Sequence, residues 1–458
     1  MEYDGLMVSV SGVRGRVGEA LTPEIIARFA AGFGAWAKKD RTLDAARIVV
    51  GRDSRVSGPM FHPVVLSALQ SVGCGVIDVG LVPTPTIQLA VEHHGAAGGL
   101  AITASHNPIE WNALKFIGPS GLFLGPAESA EMRSVVDGRI PRAGWEEIGV
   151  IESDASAVAR HINAILHIPF IDVAGIQRRG YHVALDCVRG AGGVVMPELF
   201  RQLGCRVTAI NLETNGRFPR APEPVPENLG DLETLVRESG ADIGFAVDPD
   251  VDRLAVVSDK AKAIGEDYTL ALAAKIVFRH RQGGVVTNLS TSRIVDDIAG
   301  ESNRAVIRAP VGEVNVATRM RSENAPVGGE GNGGVILTEL HLGRDAPVGA
   351  ALILQLLHEE GRSVSAIVDG YPRYFIVKDK LDRPSAPLDA VYKTLREAFP
   401  AAQADMQDGL RLTWPDRWVH IRPSGTEPVV RVIAEAPTTV EAEALIVECR
   451  IPLDAMTK

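Results

Sequence analysis

The stretch Arg47-Ile-Val-Val-Gly-Arg-Asp-Ser-Arg55 reads as a β-branched strand ending in a polar loop, followed by a helix over about Phe61 to Gly73 and a second strand, Gly75-Val-Ile-Asp-Val79. The same pattern returns downstream: strand Tyr181-His-Val-Ala-Leu-Asp-Cys187, helix Val194 to Leu203, strand Arg206-Val-Thr-Ala-Ile-Asn211. Even the joints agree, Val72-Gly-Cys74 against Leu203-Gly-Cys205. A third copy is Gly284-Val-Val-Thr-Asn288, a helix over Ser292 to Ile298, and Ala305-Val-Ile-Arg308. This is a repeated strand–helix–strand domain, not a short-period solenoid. From about Tyr371 the pattern becomes a helix (Leu388 to Ala398), strands Gly409 to Thr413, Trp418 to Arg422 and Val429 to Ala436, then a helix from Thr439 to Cys449. That is an α+β module of mainly antiparallel strands.

A chain of 458 residues is too long for one core, and three or four domains are expected. A net charge of −10 with no Lys/Arg-rich stripe argues against nucleic-acid binding. The start, Met1-Glu-Tyr-Asp4, has neither a basic region nor an apolar run, so no secretory signal is expected. The longest apolar stretches, such as Pro347 to Leu354, are too short to span a bilayer, so no membrane association is expected. Cys74, Cys187, Cys205 and Cys449 lie far apart and read as reduced packing thiols, which suits a cytoplasmic location. Prolines at alternate positions in Arg217-Phe-Pro-Arg-Ala-Pro-Glu-Pro-Val-Pro-Glu-Asn228 make that segment a shaped loop.

Four loops carry chemistry. In Ala246-Val-Asp-Pro-Asp-Val-Asp-Arg253, Asp248, Asp250 and Asp252 alternate between two strand-like runs, Ile243 to Val247 and Leu254 to Val257. Carboxylates about 4 Å apart repel by roughly 4 kcal/mol at an effective dielectric of 20, so a cation is expected among them, and all-oxygen ligands favour Mg²⁺ over zinc. An EF-hand would need glycine where Arg253 stands, and helices on its flanks. An acidic turn left to water is the blander alternative. Ser105, in Thr103-Ala-Ser-His-Asn-Pro108, is sterically open but needs activation to act as a nucleophile; alone, Ser105 and Asn107 could simply hydrogen-bond the turn.

Val327-Gly-Gly-Glu-Gly-Asn-Gly-Gly334 contains a formal G-x-G-x-x-G. With no full strand expected before it and a strand-like Val335-Ile-Leu-Thr338 after it, it reads as a flexible loop presenting Glu330 and Asn332 to paired sugar hydroxyls. Arg422-Pro-Ser-Gly-Thr-Glu-Pro428 offers a guanidinium, two hydroxyls and a glycine amide as a phosphate cradle.

Taken together, and with Ser11-Gly-Val-Arg-Gly15 near the start, these four loops resemble the signature loops of the α-D-phosphohexomutase family, in the family's order and over essentially the whole chain. The resemblance implies three topologically similar α/β domains plus a C-terminal α+β domain around a central cleft. The expected divisions are 1–152, 153–259, 260–370 and 371–458. It implies that Ser105 is a phosphoserine and that Asp248, Asp250 and Asp252 bind Mg²⁺ together with the phosphate on Ser105. Arg14, His106 and Lys115 would surround the transferring phosphate, and Arg253 would line the cleft. Glu330 and Asn332 would hold sugar hydroxyls, while Arg422, Ser424, Gly425 and Thr426 would clamp the phosphate that is not reacting. A hexose phosphate is the implied substrate, and a hexose 1,6-bisphosphate the intermediate and activator.

The chain departs from the family pattern at Gly334, where many relatives carry a histidine thought to assist proton transfer; His341, or Lys115 and Arg14, are the candidates to replace it. Asn332 resembles acetylglucosamine-phosphate mutases, and the Gly-Glu-Gly-Asn-Gly-Gly form resembles archaeal-type phosphoglucosamine mutases. The expectation is therefore a glucosamine-phosphate mutase. The alternatives are a phosphomannomutase/phosphoglucomutase, a metal-dependent sugar phosphatase and a non-catalytic sensor.

Overall fold

Ile48, Val49 and Val50 form the strand Arg47–Arg52, which lies between parallel neighbours Gly98–Ile102 and Gly75–Leu81. Gly98–Ile102 then turns back into the antiparallel strand Trp111–Ile117. The second repeat follows the same path: His182–Asp186 sits between Ile243–Val247 and Arg206–Ile210, and Ile243–Val247 turns back into Leu254–Val257. In the third, Val285–Asn288 sits between Val327–Glu330 and Val306–Ala309, and Val327–Glu330 turns back into Gly334–Leu337. The same topology thus occurs three times, with further strands extending the first sheet. This is a computed structural model that describes residues 5–10, 12–39, 46–383, 386–423 and 429–455.

The C-terminal sheet has five antiparallel strands in the order Phe375–Asp382, Val429–Ala436, Trp418–Pro423, Leu410–Thr413, Gln403–Asp405. The helices Leu388–Ala398 and Thr439–Ala455 complete this module. Its first strand was not expected from the sequence. The glycine loop also differs from expectation, because a full strand, Val327–Glu330, does precede it; Gly334–Leu337 follows as a strand, so the segment is a hairpin and not a dinucleotide-binding turn. Among the described residues, no helix is long and apolar enough to cross a membrane.

Second and third repeats share one apolar core, in which Leu185 and Phe245 join Val327 and the fully buried helix face of Leu352, Ile353 and Leu356. The C-terminal module has a core of its own around Leu395, Leu412, Ile421 and Val432. Its junction with the third repeat is polar: Arg293 Nη1 donates to Trp414 O (3.2 Å), Arg293 N to Glu435 (3.0 Å) and Val311 N to Asp408 (3.0 Å). Polar junctions of this kind permit domain movement more readily than a shared apolar core.

His420 lies at that junction, fully buried, with Nδ1 2.8 Å from Ser290 Oγ and Nε2 2.6 Å from Asp408 O. Burial pushes its pKa down from 6.5 to about 4. The unfolded chain takes up a proton below pH 6.5 that the folded imidazole refuses, so protons favour unfolding. This contribution is complete above about pH 6.5 and is lost as pH falls towards 4, by at most about 3 kcal/mol. Denaturant unfolding followed by tryptophan fluorescence should show that loss between pH 7 and pH 4.5, and a His420→Gln variant should show less of it. Equal pH dependence in the two proteins would exclude His420 as its source.

Candidate active site

The hairpin link of each repeat lies at the same topological position, the C-terminal end of the third parallel strand. In the first repeat that link carries Ser105, in the second Asp248, Asp250 and Asp252, and in the third the turn from Glu330 to Gly334. Three equivalent turns are brought together in space. Ser105 Oγ donates to Asp248 Oδ2 at 2.9 Å, and Gly333 O accepts from Leu254 N at 3.0 Å. Gly333 has φ +86°, and a Cβ there would stand 2.4 Å from Leu254 O, so this close approach requires glycine.

Two non-glycine residues at the turns adopt left-handed backbone, Ser105 at φ 49° and Val251 at φ 64°. For a β-branched valine this conformation costs of order 1–3 kcal/mol and is held by its surroundings. Asp248 Oδ1 accepts from the backbone N–H of Asp252 (3.1 Å) and Arg253 (3.2 Å), so the side chain ties down its own turn. Thr84 secures the other side through its N–H to Asp250 O (2.9 Å) and its hydroxyl to Asp250 Oδ2 (2.9 Å).

The serine link is held by a residue whose role the sequence did not reveal. Arg55, fully buried, donates from Nη2 to the carbonyls of Ser105 (2.6 Å) and Asn107 (2.7 Å). Its Nη1 reaches the carbonyls of Pro108 and Trp111 (both 2.8 Å), and Nε pairs with Asp53 Oδ2 at 3.1 Å. Asp53 also accepts from Thr103 Oγ1 (2.7 Å), and Thr103 Oγ1 accepts from Ser105 N (3.0 Å).

The three aspartates are buried, and a ligand oxygen from each lies within 4.8 Å of the others. Lys115 Nζ donates to Asp250 Oδ2 (2.7 Å) and stands 3.8 Å from Asp252 Oδ2. Burial alone would lower the Lys115 pKa; Asp250 and Asp252 outweigh it and hold the ammonium above its usual range. Burial and the neighbouring Asp252 and Asp250 carboxylates push Asp248 well up. Asp250 is drawn down despite burial, chiefly by Lys115. Asp250 Oδ1 and Asp252 Oδ1 are buried with no hydrogen-bond donor. Converging, buried carboxylate oxygens that receive no hydrogen bond fit a hard divalent cation.

Two of the other expected residues, His106 and Arg14, contact the serine link. His106 Nδ1 is 3.3 Å from Ser105 Oγ, and burial together with Arg253 holds the His106 pKa below its usual range. Arg14 Nη1 donates to Asn107 Oδ1 (3.3 Å). Arg253 Nη1 donates to Glu223 Oε1 (2.7 Å), on the proline-rich loop. Glu330 is not on a flexible loop as expected: it ends a strand, is buried, and accepts from Asn288 Nδ2 (2.9 Å), Gly312 N (3.0 Å) and Arg344 Nη1 (2.8 Å). Asn332 Nδ2 lies 3.4 Å from Glu330 Oε2.

His341 does not reach the site. It is buried with Nε2 3.0 Å from Asp345 Oδ2 and Nδ1 accepting from Gly343 N at 3.2 Å. Arg422 Nε lies 3.1 Å from Asp408 Oδ2, in the C-terminal sheet; Ser424, Gly425 and Thr426 lie outside the described residues.

A hydroxyl that donates to an acidic, cation-seeking turn, with Lys115 paired to the same aspartates and Arg14 contacting the serine link, defines a phosphoryl-transfer class of site. The sequence matches phosphoglucomutase/phosphomannomutase alpha/beta/alpha domains I, II and III over residues 6–139, 159–262 and 265–374, and the C-terminal domain over 377–450. It is 37% identical to a protein of Methanopyrus kandleri named "probable phosphoglucosamine mutase", covering 96% of each chain. It is also 37% identical, with 96% of each covered, to a Thermococcus kodakarensis protein named "phosphoglucomutase/phosphomannomutase". A phosphoglucomutase/phosphomannomutase family protein of Burkholderia thailandensis superposes with a TM-score of 0.85 at 26% identity over 98% of both chains. The chain belongs to the phosphoglucomutase/phosphomannomutase family and is a phosphohexomutase, an isomerase that moves a phosphoryl group within a sugar phosphate.

Proposed function

We propose that this phosphohexomutase interconverts glucosamine 6-phosphate and glucosamine 1-phosphate, through a phosphoserine at Ser105 and a hexose 1,6-bisphosphate. The observation that carries the substrate is the pairing of Asn332 with Glu330 on the third turn, an amide beside a carboxylate where sugar hydroxyls would dock. The name of the Methanopyrus kandleri relative supports this reading, and that of the Thermococcus kodakarensis relative supports glucose or mannose phosphate on the same scaffold.

Asp248, Asp250 and Asp252, with the phosphate on Ser105, would hold Mg²⁺, which when bound supplies positive charge against the phosphoryl oxygens. Lys115, kept as an ammonium by Asp250 beside the same turn, and Arg14, on the serine link, would add positive charge. His106 Nδ1 would contribute a hydrogen bond at Oγ. The Ser105 Oγ–phosphorus bond breaks as the sugar oxygen bonds to phosphorus, and the sugar hydroxyl's proton ends on Oγ, whose O–H then donates to Asp248 Oδ2. The bisphosphate must then reverse in the cleft before its other phosphate returns to Ser105. Arg422, Ser424, Gly425 and Thr426 would clamp the phosphate that is not reacting, and the polar junction of the C-terminal module suits a hinge that closes over the site and excludes water.

The test is a coupled mutase assay on glucosamine 6-phosphate, glucose 1-phosphate and mannose 1-phosphate with Mg²⁺ and a hexose 1,6-bisphosphate. Highest kcat/KM on glucosamine phosphate is expected, and dominance of glucose or mannose would overturn the substrate. Chelation of divalent metal is expected to lower activity roughly 100-fold or more, with recovery on adding Mg²⁺. Full activity after exhaustive chelation would remove the metal from the mechanism.

A further inference from the structure

Arg344 occupies the space over Gly334. A Cβ at position 334 would stand 2.3 Å from Arg344 Cδ, so the arginine stem lies across the third hairpin only because residue 334 is glycine. Its guanidinium divides among three carboxylates from three segments. Nη2 donates to Asp252 Oδ2 (2.6 Å), Nη1 to Glu330 Oε2 (2.8 Å) and Nε to Glu313 Oε2 (3.1 Å). The backbone around it is pinned. Arg344 N donates to Glu313 Oε1 (3.2 Å) and Asp345 N to Val335 O (2.8 Å). Asp345 Oδ1 caps the following helix at Val348 N (2.9 Å), and its Oδ2 is shared by His161 (2.7 Å) and His341 (3.0 Å).

One rigid, planar fork therefore spans from the aspartate turn to the sugar-facing carboxylate. A lysine ammonium carries the same charge but cannot reproduce that planar, three-way geometry. Arg344 also leaves Asp252 Oδ1 without a donor while engaging Oδ2, which fixes the rotation of the carboxylate.

We propose that Arg344 is a positioning residue that sets Asp252 and Glu330 in register, so that divalent-metal binding at the second turn and hexose-phosphate binding at the third both depend on it. This rests on the mutase reading for the sugar half and on the aspartate geometry alone for the metal half.

The experiment compares wild type, Arg344→Lys, Gly334→Ala and the double variant. Arg344→Lys is expected to lower kcat/KM roughly 10- to 100-fold. It should weaken Mg²⁺ binding, measured by titration calorimetry on the protein without sugar, by about tenfold or more. Gly334→Ala, which pushes the arginine aside without removing it, should do both in the same direction. The double variant should lose little beyond Arg344→Lys alone, because both changes remove one fork. Additive losses, or wild-type kcat/KM and Mg²⁺ affinity in Arg344→Lys, would overturn the inference. If Arg344→Lys does not fold, Gly334→Ala decides by the same two readings. A wild-type protein inactive on all three sugars would instead overturn the mutase reading, and the calorimetric comparison would still judge the positioning of Asp252.

Discussion

Ser105→Ala is expected to abolish mutase turnover, with kcat lower by roughly 10⁴-fold or more, because in the proposed mechanism Ser105 Oγ carries the phosphoryl between the two halves of the reaction. Oγ is the hydroxyl aimed at the aspartate turn, 2.9 Å from Asp248 Oδ2. The fold should survive the change. The loop conformation is imposed by Arg55 and Thr103 on the backbone of residue 105, and neither contact involves Oγ. Asp248 loses one donor but keeps two backbone N–H groups on its other oxygen. Alanine at φ 49° adds some strain, so a melting temperature lower by a few degrees is expected. Intact-mass measurement after incubation with a hexose 1,6-bisphosphate should find a phosphate on the wild type and none on the variant. Residual turnover near wild type in the variant, or a phosphate mapped to another residue, would displace Ser105 from its role.

The residues most easily read from the sequence were those that stand together in short motifs at the ends of apolar runs. Ile243–Val247 and Leu254–Val257 form as expected to the residue, because polar residues (Asp242 and Asp248; Arg253 and Ser258) bound two continuous apolar segments that are buried throughout. Val327–Glu330 escaped because two of its four residues are glycines, which have no β preference of their own; its pairing with Val285–Asn288 and Gly334–Leu337 makes it a strand. Phe375–Asp382 escaped because it is an edge strand, largely exposed and charged, with just Leu381 buried.

The same division holds at the site. Ser105, the aspartates and Glu330 announce themselves locally. Thr84, Glu313 and Arg344 are unremarkable in sequence, since their chemistry depends on partners far along the chain: Thr84 Oγ1 reaches Asp250, and Arg344 reaches Asp252. Equivalence of the three turns was likewise hidden. They differ in length and composition, and only the shared strand order shows that they are one feature used three times.

Arg55→Met is expected to be the most damaging single change to stability, at about 3–5 kcal/mol. The arginine is fully buried, and its five side-chain hydrogen bonds end on Asp53, on three backbone carbonyls of the serine link and on that of Trp111, which opens the next strand. Methionine fills much of the volume but donates nothing, so those carbonyls lose donors where water has little access. Asp53 would be left as a buried carboxylate without its cation. Burial already pushes its pKa up against the pull of Arg55, and without the arginine it must protonate or draw water inward. Activity should fall as well, about 100-fold or more, since a shift of roughly 1 Å in Ser105 spoils the alignment needed for in-line transfer. Urea unfolding measures the first effect and the mutase assay the second. Adding Asp53→Asn to Arg55→Met removes the stranded charge, so the double variant should regain part of the stability. It should regain little of the activity, because the carbonyls of Ser105 and Asn107 remain without their donor. If Arg55→Met unfolds at the wild-type urea concentration, the serine link is held by other contacts and Arg55 is not its anchor.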